Sequence, residues 1–261
     1  MTDPQPSAGP SPSRSVVVTG AGSGIGLSAT RRLLAAGWHV VAADRDADAL
    51  RRLGEERIEG SERLVLHPLD VTDEGAIARL AELCSGHVAP LRALVNSAGI
   101  GANARFADTT TEMFRRIYEI NVVGAFALSQ ALAPLLAASG GGSIVHIASV
   151  SGIMGNVGRS AYGASKGALV TLTKIMAVEL AEQSIRVNAV APGPIETPMV
   201  REFHTAQTRA EWDRTVPMRR YGTPEEIAGA IAFLADPDQS SYVTGQILSV
   251  DGGFTAAGLM A

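Results

Sequence analysis

Cysteine is nearly absent: the 261-residue chain has one, Cys84. A single thiol cannot close an internal disulfide, and no cysteine pair marks a zinc site. In an apolar-striped segment, Cys84 reads as a small core residue. Aromatic residues make up 5 % of a chain that is 46 % apolar. The core must therefore be built from small aliphatic side chains, as where helices pack closely on parallel strands. An excess of basic charge is also missing. Lysine and arginine number 22 against 26 aspartates and glutamates, a formal charge of −4, which argues against a nucleic-acid partner. No apolar run reads as long enough to cross a membrane. Residues 1–14 are rich in proline, serine and glycine, without a basic segment followed by an apolar one. They predict a disordered tail. Together these features predict a soluble, cytoplasmic protein without a metal site, of a length that suits one α/β domain.

What is present is alternation. Buried strands are predicted at 15–19, 38–43, 64–69, 91–95, 143–148, 185–190 and 246–250, with helical patterns between them. Strand–helix alternation throughout predicts one domain, 15–261, built on a doubly wound, parallel, seven-stranded sheet with helices on both faces. The longest helix is expected at 111–136. Thr223-Pro224-Glu225-Glu226 is a capping box with proline at the first helical position. The segment 194–220 has no clear periodicity. In a compact domain such a piece is usually functional, here a substrate lid. Its Met199, Phe203, Trp212, Val216 and Met218 would make the lid partly apolar, and His204 reads as a solvated loop histidine.

Ser149 ends the predicted strand at 143–148, and Tyr162 and Lys166 stand four residues apart at the start of the next helix. That spacing puts both side chains on one face, a turn apart. The C-terminal ends of strands in open α/β sheets are where ligands sit. A hydroxyl, a phenol and an ammonium there suit proton transfer to or from an alcohol oxygen. A nearby lysine charge favours the phenolate and would lower the tyrosine pKa toward a useful range. A second cluster, Gly20, Ser23, Gly24, Ile25 and Gly26, lies between the first strand and first helix. Glycines there let backbone N–H groups and a helix N-terminus approach a pyrophosphate. Asp44, at the end of the second strand, stands where an acid takes the ribose hydroxyls of NAD, and Arg45 follows it.

With Asp70-Val71, Asn96-Ser97-Ala98-Gly99, Asn121-Val122, Pro192-Gly193 and Asp251-Gly252-Gly253 added in order, the chain resembles the short-chain dehydrogenase/reductase family, in its branch of about 250 residues. The resemblance covers residues 15–254 and implies a Rossmann fold. Ser97 departs from it, since the family more often has a second asparagine there. The resemblance implies a catalytic set of Asn121, Ser149, Tyr162 and Lys166. Tyr162 would be the acid/base, and Lys166 would bind nicotinamide-ribose hydroxyls. Ser149 would hold the substrate oxygen, with Ser151 excluded by spacing. Asn121 would kink its helix and anchor a relay water. Asp70 and Val71 would flank adenine, and Asn96, Ala98 and Gly99 would line the adenosine side. Pro192, Gly193, Ile195 and Thr197 would border the nicotinamide, with Thr197 on its carboxamide.

The reading that follows is an NAD-dependent oxidoreductase. It would interconvert a secondary alcohol (a polyol, cyclic alcohol or hydroxy acid derivative) and its ketone. A 3-oxoacyl-[acyl-carrier-protein] reductase is the alternative. Against it stand Asp44, which disfavours a 2′-phosphate, and Glu179 and Glu182, which disfavour an acidic carrier protein. A non-catalytic NAD-sensing protein is the further rival, and the complete catalytic set argues against that. Helices at 111–136 and 160–182 are apolar on more than one face, as is the uncharged C-terminus 254–261. Both features, and the resemblance, predict a homotetramer.

Overall fold

The computed structural model describes residues 13–86 and 89–258. Most of the predicted tail, 1–12, and the last residues of the apolar C-terminus, 259–261, lie outside the described residues. From Ser15 onward the chain alternates. Strand β1 (Ser15–Thr19) leads to helix α1 (Gly24–Ala35), β2 (His39–Asp44) to α2 (Ala47–Glu55), and β3 (Leu64–Pro68) to α3 (Glu74–Ser85). Strand β4 (Leu91–Asn96) then leads to α4 (Thr111–Tyr118) and α5 (Gly124–Ala138), and β5 (Gly142–Ile147) to α6 (Ser160–Glu179). Strand β6 (Ile185–Pro192) is followed by α7 (Pro198–Phe203), α8 (Ala206–Thr215), α9 (Pro224–Ala235), α10 (Pro237–Ser240) and β7 (Ile247–Val250).

All seven strands are parallel, in the order β3-β2-β1-β4-β5-β6-β7. This is the doubly wound Rossmann sheet. Alternate side chains of each strand point to opposite faces, and the two cores follow that alternation. Val16, Val18, Val40, Ala42 and Val145 pack with α1, α2 and α9, centred on Leu33, Leu34, Trp38, Ile227 and Ile231. Val17, Val41, Leu94 and Ile144 pack with α3, α5 and α6, centred on Leu80, Leu128, Leu132 and Met176. Cys84 is buried in this second core, as its position in α3 predicts.

Successive strands are added in opposite directions on either side of β1 and β4, and a crevice opens there at the strands' C-terminal ends. A hydroxyl ties the two sides together. Thr19 Oγ1 accepts from the backbone N–H groups of Ser97 and Ala98 at 3.1 Å each and donates to the Val95 carbonyl at 3.4 Å.

Three expectations change. The predicted helix at 111–136 is interrupted at the point where Asn121 is expected to kink it: Glu119–Val123 forms a π turn, with the Gly124 N–H bonded to the Glu119 carbonyl. Apolar periodicity runs through such a turn, so a composition pattern does not register it. The whole stretch Thr111–Ala138 is also long and apolar enough to span a membrane by composition alone, contrary to the expectation; half of its most apolar window is buried against the sheet and neighbouring helices. Finally, 194–220 is not structureless. Thr197 caps α7 and Thr205 caps α8, each accepting from a backbone N–H three residues on. Helix α8 is polar and buries none of its residues, so it carries no apolar stripe to be read.

Candidate active site

The glycine turn between β1 and α1 is held by contact with the β4 terminus. Gly20 has φ +66°, and a Cβ on it would lie 2.9 Å from the Ala98 nitrogen. A Cβ on Gly26 would lie 2.1 Å from the Gly20 carbonyl oxygen. Only glycine lets the turn close on itself and leave α1's N-terminal N–H groups facing the crevice. Asp44 is fixed at the end of β2. One carboxylate oxygen accepts from the Gly22 N–H at 2.8 Å and the other from the Asp46 N–H at 2.9 Å. Arg45 beside it is exposed. Asp70 accepts from the Thr72 N–H and hydroxyl, and these bonds hold its carboxyl below the usual carboxylate range.

On the other side of the crevice, β5 ends at Ile147 and the chain turns through Val150–Gly152 onto α6. A Cβ on Gly152 would lie 2.5 Å from the Lys166 carbonyl carbon, so this glycine lets the turn lie directly on the helix. The turn brings Ser149 beside Tyr162, and both line the same cavity. Ser151 is engaged elsewhere, accepting from Asn156 Nδ2 at 3.2 Å.

Lys166 is buried, and its Nζ donates to the Ile147 carbonyl at 2.7 Å. The ammonium stands 5.8 Å from the centre of the Tyr162 ring. Burial pushes its pKa down to about 8. Tyr162 departs from the sequence expectation: burial moves its pKa up from the ordinary value, against smaller lowering effects from the neighbouring Ser149 hydroxyl and the Arg159 charge. Desolvation of the phenolate outweighs its neighbours when both ring and ammonium are taken out of water.

Asn121 sits in the π turn and is buried. Its Oδ1 accepts from the Ile100 N–H at 2.8 Å, and its Nδ2 donates to the Ile100 carbonyl and to Ser165 Oγ, both at 3.0 Å. Ser165 in turn donates to the Tyr162 carbonyl at 2.7 Å. Ser165 therefore links Asn121 to the tyrosine helix, a role sequence reasoning missed, although its place three residues after the tyrosine is a usable signal.

One cavity of about 390 Å³ collects these groups. Gly20, Ser23, Gly24, Ile25, Gly26, Asp44, Arg45, Asp70, Val71, Ala98 and Gly99 line it. So do Ser149, Tyr162, Lys166, Pro192, Gly193, Ile195 and Thr197. Two predicted residues stand behind the wall. Asn121 braces it, and Asn96 is buried beneath it, donating to Ser129 Oγ at 3.0 Å and to His146 Nδ1 at 3.3 Å. His146 is wholly buried in β5, and burial, with the Lys166 charge adding to it, takes its pKa down to about 4.

The lid residues divide. Met199 lines the cavity, while Trp212 packs edge-on to Phe254 at 4.9 Å and Val216 is buried against Gly252. Met218 is exposed. His204 is not solvated as predicted: it is buried and bonded to Tyr221 and Arg159. An isolated histidine in a polar segment gave no sequence signal for partners 17 and 45 residues away.

Fold and site together define a dinucleotide-dependent enzyme of the Rossmann class, and comparison with known proteins narrows it. Residues 20–255 match the family model described as Enoyl-(Acyl carrier protein) reductase. The galactitol 2-dehydrogenase (L-tagatose-forming) of Cereibacter sphaeroides is 42 % identical over 241 residues, 91 % of this chain and 93 % of that one. The 3-oxoacyl-[acyl-carrier-protein] reductase of Thermotoga maritima is 39 % identical, covering 91 % of this chain and 96 % of that one. A 7α-hydroxysteroid dehydrogenase solved with NADH and 7-oxo glycochenodeoxycholic acid superposes with a TM-score of 0.87 at 36 % identity, covering 93 % of this chain and 94 % of that one. A further relative, 42 % identical, is a longer protein of which this chain spans 44 %. The chain belongs to the short-chain dehydrogenase/reductase family. It is an oxidoreductase that acts on alcohols or ketones with a nicotinamide dinucleotide.

The glycine cradle fits that cofactor, because a Cβ at either position would fill the space the backbone leaves. Gly20→Ala, with its φ of +66° and its 2.9 Å approach, is expected to weaken NADH binding at least about tenfold, measured by calorimetry, the factor that about 1.4 kcal/mol of strain produces.

Proposed function

We propose that this protein is an NAD-preferring dehydrogenase that interconverts a secondary alcohol and its ketone, with Tyr162 as the acid/base. The observation that carries the reading is one cavity bounded by Ser149, Tyr162 and Lys166 at one end and by Asp44 at the other. NAD, when bound, supplies the hydride chemistry. The glycine turn and the N-terminus of α1 would hold its pyrophosphate, and Asp44 would accept from the adenosine ribose hydroxyls. Both Asp44 oxygens are already oriented by backbone N–H groups, so a 2′-phosphate would meet a carboxylate that is not free to swing away. Asp70 and Val71 would border the adenine, and Ala98 and Gly99 the adenosine side. Pro192, Gly193, Ile195 and Thr197 would border the nicotinamide.

The residues divide the proton work. Ser149 donates to the substrate oxygen. A phenol held above its ordinary pKa is protonated at neutral pH and suits protonation of a developing alkoxide; alcohol oxidation needs the phenolate and is favoured at alkaline pH. The buried Lys166 is half-charged near pH 8 and delivers its charge beside the ring. Asn121 is a positioning residue, since both of its Nδ2 hydrogens are used. A relay water would therefore rest on a main-chain carbonyl left free by the π turn.

A 3-oxoacyl-[acyl-carrier-protein] reductase is the second reading, favoured by the Thermotoga relative. Exposed Glu179 and Glu182 at the end of the tyrosine helix oppose the docking of an acidic carrier. A panel of secondary alcohols and ketones with both cofactors, read at the nicotinamide absorbance, tests the proposal. NAD is expected to exceed NADP by about tenfold or more in kcat/KM, equivalent to about 1.4 kcal/mol. Equal or NADP-favouring values, or turnover confined to 3-oxoacyl thioesters, would overturn it. Tyr162→Phe is expected to keep NADH affinity and lose on the order of 10²–10⁴ in kcat; near-full turnover would move the acid/base role elsewhere.

We also propose a homotetramer. Val123 and Phe126 on the α4–α5 stretch and Ile175 and Val178 on α6 are exposed, Val178 to 78 %. Leu248 is exposed on β7, the edge strand. Apolar rows on two helices and one sheet edge supply two separate contacts of the kind a second and third copy would cover. Light scattering at micromolar concentration is expected to give a tetramer mass, and a monomer mass would exclude it.

A further inference from the structure

Arg159, one residue before α6, is a cation beside the reacting phenol with no acid to pair it. Its guanidinium carbon stands 5.5 Å from the centre of the Tyr162 ring. One Nη donates to His204 Nε2 at 3.0 Å, and the other reaches the Ala102 carbonyl at 3.4 Å. Among the described residues no carboxylate comes within 4 Å of it. Arg92 and Arg186 likewise have no acid within 4 Å, but their guanidiniums bond to main-chain carbonyls away from the site, whereas three other partly buried arginines are paired. Arg14 holds Asp236, Arg31 holds Glu56, and Arg209 holds Glu196, the acid that leads into α7. A half-buried guanidinium left without a counter-ion, next to the catalytic group, is costly to stability unless something else supplies the anion.

The surroundings of Arg159 hold it in place. Arginine cannot accept a hydrogen bond, so His204 Nε2 accepts and the imidazole proton lies on Nδ1, which donates to the Tyr221 hydroxyl at 2.9 Å. The imidazole is stacked on Trp212, the planes 6° apart, and meets the edge of Tyr221 at 5.9 Å. Burial, then the Arg159 and Arg209 charges, keep His204 neutral, with its pKa down to about 4, so it remains an acceptor for the guanidinium. Of five guanidinium N–H groups, two are used here. The Ala102 carbonyl that Arg159 reaches adjoins Gly101, where a Cβ would stand 3.1 Å from the Met199 sulfur and 3.9 Å from Phe203, and Met199 lines the cavity.

We propose that Arg159 is the docking point for a carboxylate on the substrate. The enzyme would then act on hydroxy or oxo carboxylic acids whose alcohol carbon and acid group are a few bonds apart. The apolar body would lie under Met199, with the oxygen to be oxidised or reduced at Ser149 and Tyr162. The planar fork of an arginine matches a carboxylate with two parallel bonds. This deepens the dehydrogenase reading and rests on it for the placement of the reacting end.

The test separates the two. Cyclohexanecarboxylate and its neutral isostere cyclohexanecarboxamide are titrated calorimetrically into the protein, alone and saturated with NADH. The acid is expected to bind about tenfold or more tightly than the amide, as a charge-assisted pair gives. Arg159→Gln is expected to bring the two to parity, and Arg159→Lys to keep part of the difference. Tyr221→Phe leaves the guanidinium in place but removes the partner that fixes His204, and is expected to narrow the preference. Equal binding of acid and amide by the wild-type protein, which needs no variant to fold, overturns the proposal. So does a preference that survives in Arg159→Gln. Turnover of 3-hydroxycyclohexanecarboxylate and its amide is then read with NAD. Binding preference without turnover of any alcohol leaves the anion site standing and sinks the dehydrogenase reading. Equal binding together with equal turnover does the reverse.

Discussion

The burial of the Lys166 ammonium is the constraint on which the site depends. An ammonium taken out of water costs several kcal/mol unless its hydrogens are satisfied. Here the carbonyl at the end of β5 accepts one of them at 2.7 Å. That single bond fixes the start of α6 against the strand end, and with it the phenol one turn earlier. The backbone has to come close for this to work. Gly152 lets the preceding turn lie against α6, and Gly99 keeps its own segment within reach: a Cβ there would be 3.5 Å from Nζ and 3.1 Å from Asn121 Oδ1. The π turn that carries Asn121, the Ile100 backbone and Ser165 then brace the same helix from its other side.

The two ends of the crevice are built by different means. At the dinucleotide end, backbone does the work: glycines without Cβ atoms, a helix N-terminus, and a carboxylate held by two N–H groups. At the reacting end the groups are side chains whose charge states respond to burial. Lys166 is brought down and Tyr162 up, so burial makes the ammonium give up its proton more readily than in water and the phenol hold its own more tightly. The segment 194–220 joins the ends. Thr197 stands near Gly24 on the cofactor side, while His204 and its partners reach Arg159 on the substrate side.

Much of this was legible in the chain. Strand and helix alternation gave the sheet, because apolar runs of strand length separated by amphipathic helices have few other ways to bury both faces. The glycine cluster, Asp44 and the Tyr162–Lys166 spacing gave most of the lining of the cavity, because each depends on residues a few positions apart. The same locality explains what was missed. The resemblance implied a kink at Asn121, but its π form changes hydrogen bonding without changing apolar pattern. Helix α8 forms from a capping threonine and local bonds, with no buried stripe. His204 looked solvated because its partners, Arg159 and Tyr221, are far from it in sequence.

The sequence by itself determined the family and the order of the elements, and it singled out the residues expected to be catalytic, since these rest on residue type and short spacing. Tertiary structure decided how those residues are charged and which of them reach the cavity. The Tyr162 pKa moved opposite to the expectation because desolvation depends on everything packed around the ring, not on one neighbour. Asn96 and Asn121 were placed behind the wall, while Ser149 lines the cavity and Ser151 does not. The unpaired charge of Arg159 is likewise a tertiary fact: whether an arginine has a counter-ion is set by which distant acids the fold brings to it, and among the described residues it brings none within 4 Å.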